Sequence, residues 1–280
     1  MSHVKRPYAS ESGVIEPARP RPSSATFAVC VREDPSVDVR DVLEDVARLG
    51  PFFAVGTDPA EAADPAWHPL SHLYSDPRPL RDRIANVRRV LDSDARVAAS
   101  VTFQGLAARV LSAPFAAAVL HSVVPRLTAG ELHFQVSAAA PWPLWCPAPS
   151  AAPVPDAAAA AAALAELLVE EHFGPLVAAV RAQVPVSEQV LWGNAASTVA
   201  SGKRLVVAER PAAAVRAAEV AAGLLAAGPL ADRGELLAPQ GPDRVWSFRR
   251  RSCCLYYRAR DGGLCGDCVL QVSPAGRGRR

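Results

Sequence analysis

The chain has 280 residues, 50% of them hydrophobic and 21% charged, the make-up of a folded protein able to bury a sizeable core. A net charge of +2 points to neither a nucleic-acid partner nor a membrane surface, so no nucleic acid and at most peripheral membrane association are expected. The Ala/Leu stretches near Ala157–Val169 and Ala212–Ala227 are broken by acids or arginines, and the polar, proline-rich start has no secretory h-region; the expected location is cytoplasmic.

Residues 1–24 mix Pro, Ser, Arg and Glu without period and are expected to form a disordered tail. Residues 25–243 read as a mainly helical body that binds substrate. Val39, Val42, Leu43, Val46 and Leu49 repeat at three and four before Gly50-Pro51, predicting an amphipathic helix and its stop. Leu80, Ile84, Val87 and Leu91 predict a second, opening at Pro79. From Arg96 to Val124 the Ala/Val/Leu-rich sequence is interrupted by Pro114, which predicts two packed helices with a break at the proline. Leu132, Phe134 and Val136 then alternate with polar residues over Glu131–Ser137, as in a half-buried strand.

The segment Pro141–Pro155, with Trp142 and Trp145 among its prolines, reads as loop or sheet edge. Asp156 can cap an alanine-rich helix to about His172, Ser187-Glu188 opens a helix through Trp192 and Asn194, and Pro211 opens another that Gly228 can close. Arg244–Phe248 and Leu255–Arg258 look like two short strands flanking a group of cysteines. The expected class is α+β, mainly helical, with a small cysteine-bearing module at 244–272 and a disordered basic tail at 273–280.

Of six cysteines, Cys253, Cys254, Cys265 and Cys268 fall within sixteen residues, whereas Cys30 and Cys146 stand apart and read as buried small hydrophobes. In a reducing cytoplasm such a cluster suits metal or redox chemistry better than disulfides. Four soft thiolates satisfy either one tetrahedral zinc or the two irons of a [2Fe–2S] cluster. Adjacent cysteines project to opposite sides of an extended backbone, which favours the wider binuclear cluster but leaves zinc open. His3, His68, His72, His121, His133 and His172 have no spacing to the cysteines that suggests Rieske ligation, and no Gly-rich phosphate loop follows a strand. Between Arg244 and Arg280, nine arginines stand against Asp261 and Asp267, a formal +7.

Arg250-Arg251-Ser252-Cys253-Cys254-Leu255-Tyr256-Tyr257-Arg258, followed by Gly262-Gly263-Leu264-Cys265-Gly266-Asp267-Cys268, has the spacing Cys-Cys-x10-Cys-x2-Cys. It resembles the C-terminal [2Fe–2S] motif of the FhuF-type ferric-siderophore reductase family. All four ligand positions match, and weaker similarity reaches Leu191-Trp192-Gly193-Asn194 and the segment Ala98–Arg109. The resemblance implies a [2Fe–2S] cluster on Cys253, Cys254, Cys265 and Cys268, a ferric siderophore as substrate, an external electron donor (a ferredoxin or a reductase), and a role in iron homeostasis. Arg249, Arg250 and Arg258, with Trp192 and Asn194, are the expected substrate contacts. The alternative from a different class is a siderophore-binding or assembly protein with structural zinc.

Overall fold

The computed structural model describes residues 38–139 and 141–271. The expected tails at 1–24 and 273–280, and Cys30, lie outside the described residues. The class is the expected one, α+β and mainly helical. Helix α1 spans Val39–Ala47; the Asp38 carboxylate accepts from the Arg40 amide at 2.9 Å, and Val42, Leu43 and Val46 face inward as their spacing requires. A two-residue strand β1, His68–Pro69, leads into α2, Leu70–Ser75. Helix α3, Pro77–Val90, starts at Pro77 instead of Pro79. Asp76 supplies the cap, and Pro77 fills a first-turn place where its missing N–H is no loss.

Helix α4 runs unbroken over Ala95–Leu120, straight through Pro114, where the sequence predicts a break. An interior proline costs about 3 kcal/mol in lost hydrogen bonding and crowding. Most of α4 is buried, however, with apolar side chains on every side, and burial on that scale outweighs the local penalty. The same composition makes α4 long and apolar enough, among the described residues, to cross a bilayer. Yet 72% of its most apolar stretch is covered by the rest of this protein.

Four short strands follow: β2 (Val123–Pro125), β3 (His133–Phe134), β4 (Leu144–Trp145) and β5 (Ala151–Pro153). They form antiparallel ladders in the orders β1-β3-β4 and β2-β5. The strand expected over Glu131–Ser137 shrinks to two residues. Leu132 and Phe134 are buried but Val136 is exposed, because Trp142 stacks on Phe134 at 5.5 Å and takes the next inward place. Cys146 is buried, as expected of a small hydrophobe.

Asp156 caps α5, Ala157–Ala165, at 2.8 Å from the Ala159 amide. The helix does not end at His172. It passes through a π-helical segment, Glu166–Phe173, into α6, Gly174–Gln183. His172 is wholly buried there, with Nε2 2.7 Å from the Leu127 carbonyl and Nδ1 2.9 Å from the Tyr74 hydroxyl. A carbonyl only accepts, so Nε2 carries the proton and Tyr74 donates to Nδ1. Helix α7, Glu188–Glu209, and α8, Ala214–Leu225, complete the body, and an antiparallel pair, β6 (Gly234–Leu237) with β7 (Ser247–Arg250), follows. Helix α4 is the central element, in contact with α1, α3, α5, α6, α7 and α8.

Burial holds His172 neutral, with its pKa lowered to about 4 from the ordinary 6.5. The unfolded chain therefore binds the extra proton first as pH falls, and this part of the stability is present above pH 6.5 and drains away towards pH 4. Between pH 7 and 5 the expected loss from this group is about 2 kcal/mol. Urea unfolding at the two pH values measures it; a His172→Gln variant with the same pH slope as the parent would remove His172 from the account.

Candidate metal centre

Strand β7 carries the chain into the cysteines, and its last residues are fixed by backbone bonds from the Arg250 amide to the Asp267 carbonyl (3.1 Å) and from the Arg251 amide to the Arg233 carbonyl (2.8 Å). The module's sheet thus begins at β6, before residue 244. After Cys253-Cys254 the chain does not form the expected strand Leu255–Arg258. Leu255 takes a left-handed conformation, φ 68°, and Tyr256–Arg258 is a 3-10 turn. Gly262 closes the turn against the Tyr256 carbonyl, where a Cβ would stand 2.0 Å from the oxygen. This reversal returns Cys265 to Cys254 with their sulfurs 3.8 Å apart, and a second turn, Cys268 amide to Cys265 carbonyl at 3.1 Å, brings in the fourth thiol.

The sulfurs sit among donors suited to thiolates. The Leu255 amide lies 3.3 Å from Cys253 Sγ and the Leu270 amide 3.4 Å from Cys268 Sγ. The hydrogen bond from Cys265 holds the Cys254 thiol low, helped against burial by the Tyr256 amide and the Arg250 charge; the same bond, with burial, pushes Cys265 up. Burial, and then the neighbouring Cys254 and Cys268, raise Cys253. Cys254 and Cys268 are buried, and Cys253 and Cys265 half-buried.

This donor set fits the implied cluster. Two thiolates each about 2.3 Å from one metal in tetrahedral array lie about 3.8 Å apart, the separation found for Cys254 and Cys265. Four cysteines would supply two terminal thiolates to each iron of a binuclear cluster. The buried Nε and Nη1 of Arg250 have no partner, as donors awaiting an anion would.

Helices α4 and α7 form the wall behind the cysteines. The Ser100 hydroxyl donates to the Cys254 carbonyl at 2.7 Å. Asn194 donates through Nδ2 to the Ser100 carbonyl and hydroxyl, at 2.9 and 2.8 Å, and its Oδ1 accepts from Arg250 Nη2. Gly193 leaves room for Ser252, whose Oγ would stand 2.0 Å from any Cβ there. Asp267 is buried between the Ser197 hydroxyl (2.6 Å) and Arg204 Nη2 (2.9 Å). Lys203 and Arg204 both pair with Asp243, at 2.7 and 3.3 Å, and together outweigh the burial that would raise its carboxyl, keeping it low.

The expected substrate contacts are redistributed. Asn194 and Arg250 are buried and turned into the wall, and Trp192 is buried with its Nε1 on Glu188 at 3.2 Å, so none of the three presents a free surface to a chelate. Arg249 pairs with Glu235, and Arg258 lies 3.1 Å from Asp94; both stay partly exposed. Arg251 and Arg260 pair with Asp232 and Asp92. Four of the nine arginines counted in the sequence are thus paired with acids from other segments. Ser100, Ser197, Arg204 and Asp267 escaped the sequence reading, although Asn194, Ser197 and Thr198 form a polar stripe at helical spacing in an alanine-rich helix, a pattern that signals buried partners.

Because the clash at Gly262 is with backbone, Gly262→Ala must open the turn and separate Cys254 from Cys265. The expected result is a marked fall in bound iron and sulfide with unchanged far-ultraviolet helical signal. Parent-level iron in that variant would show that the turn does not set the site.

Residues 250–270 match the family model described as the FhuF 2Fe-2S C-terminal domain, a span containing all four clustered cysteines. No curated protein matches the chain. The matched span, the paired sulfurs and the amide donors agree: residues 250–270 are similar to the FhuF C-terminal domain, a [2Fe–2S]-binding domain.

Proposed function

We propose that the chain is a cytoplasmic ferric-siderophore reductase: one electron from an external donor, a ferredoxin or a reductase, reduces the Fe³⁺ of a chelate, and Fe²⁺, bound far less strongly by hard oxygen donors, leaves. The observation that carries this reading is a polar cavity of about 370 Å³ that touches the cysteine site itself. Its lining includes Arg204, Gln240, Arg249, Gly266, Cys268 and Gln271. A bound chelate would thus lie against a cluster ligand.

When bound, the [2Fe–2S] cluster supplies one-electron chemistry. Cys253, Cys254, Cys265 and Cys268 would hold it, and the amides of Leu255 and Leu270 stabilise the thiolates of Cys253 and Cys268. The side-chain amides of Gln240 and Gln271 and the guanidinium of Arg249 offer donors to the oxygen atoms of a chelate. The half-exposed Cys253 and Cys265 mark the edge where an electron donor can approach. Reduction of a chelated ion calls for no general acid or covalent nucleophile, and the two acids of the lining, Asp243 and Asp267, are committed to Lys203, Arg204 and Ser197.

Anaerobic reduction of the protein followed by mixing with a panel of ferric chelates tests the proposal. The expected outcome is return of the oxidised visible spectrum with one Fe²⁺ trapped per electron, and Cys265→Ser should lower iron content and turnover together. A colourless protein holding zinc after anaerobic reconstitution, or full chelate reduction by Cys265→Ser, would overturn it.

A further inference from the structure

We infer that Arg250 is the buried counter-charge of the cluster, held in place by Asn194, and that it raises the potential at which the site accepts an electron. Its side chain is 1% exposed, the largest fully buried side chain of the described residues. A buried cation is ordinarily paired with an anion or fully hydrogen-bonded. Arg250 has neither: among the described residues no carboxylate lies within ion-pair distance of it, and Nε and Nη1 have no partner.

The same protein shows what a satisfied buried guanidinium looks like. Arg109, also buried, gives its three nitrogens to the carbonyls of Trp142, Phe52 and Ala54. Arg204 has two carboxylates. At Arg250 the one anchored nitrogen, Nη2, bonds Asn194 Oδ1; Asn194 is joined through the Ser100 hydroxyl to the Cys254 carbonyl, and the Arg250 amide bonds the carbonyl of Asp267, next to Cys268. The unanswered positive charge is therefore tied by hydrogen bonds to the backbone that carries Cys254 and Cys268, where a dianionic oxidised cluster would complete the pairing.

Asn194 determines how the guanidinium is held. Its Nδ2 is committed to the Ser100 carbonyl and hydroxyl, so the amide cannot flip, and only Oδ1 is left for Arg250. Reduction adds one negative charge to the cluster, and a fixed cation stabilises the reduced form more than the oxidised one. Arg251, exposed and paired with Asp232, has no comparable leverage. Arg250 is thus a positioning and tuning residue, and the inference rests on the bound cluster alone, whichever acceptor the protein serves.

The test is a spectroscopic redox titration of the reconstituted protein without any chelate. Arg250→Gln is expected to shift the midpoint potential to more negative values and alter the electron paramagnetic resonance g-values. Arg250→Lys should shift it less, and Arg251→Gln should leave it in place. Should Arg250→Gln not retain its cluster, Asn194→Asp sets a carboxylate against the guanidinium and must move the potential in the same negative direction. An unchanged midpoint in an assembled Arg250→Gln or Asn194→Asp protein, or an equal shift in Arg251→Gln, would overturn the inference.

Discussion

One buried amide joins three parts of the chain that are remote in sequence. Asn194 is fully enclosed on α7, bonds Ser100 on α4, and accepts from Arg250 at the end of β7. Ser100 in turn fixes the Cys254 carbonyl. An unpaired amide in such a place would cost about 1–3 kcal/mol for each group left without a partner, so the arrangement is close to all or none. The cysteine loop lacks an apolar core of its own, and its position follows from this polar junction together with the bonds of Asp267 to Ser197 and Arg204.

Charge is arranged on the same plan. Four outer arginines of the module meet acids supplied by the α3–α4 loop, Asp92 and Asp94, by the approach to β6, Asp232, and by β6 itself, Glu235. These pairs are exposed and individually weak, worth about 0–1 kcal/mol each. Among the described residues they set Arg249, Arg251, Arg258 and Arg260 apart from Arg250, which is enclosed and has no acid partner.

Local physics made much of this legible. The stripe of α1, the cap at Asp156 and the cysteine spacing each depend on residues a few positions apart, and each is found in the fold. Pro114 and the strand expected at Leu255–Arg258 were misread for one common reason: long-range packing overrode a local preference. Burial carries α4 through the proline, and the approach of Gly262 to Tyr256 turns the chain at Leu255 into a conformation a leucine rarely adopts. The roles of Asn194 and Arg250 were out of reach because their partners lie 94 and 56 residues away, where no periodicity or spacing points to them.

That sequence separation bears on biosynthesis. The bond between Ser100 and Cys254 spans 154 residues, so the wall of the centre is translated long before the loop that it receives. Domains fold as their segments emerge, so the polar groups of Ser100 and Asn194 are in the chain before the partners that Cys254 and Arg250 supply. The socket on α4 and α7 thus precedes, along the chain, the cysteine loop that it receives.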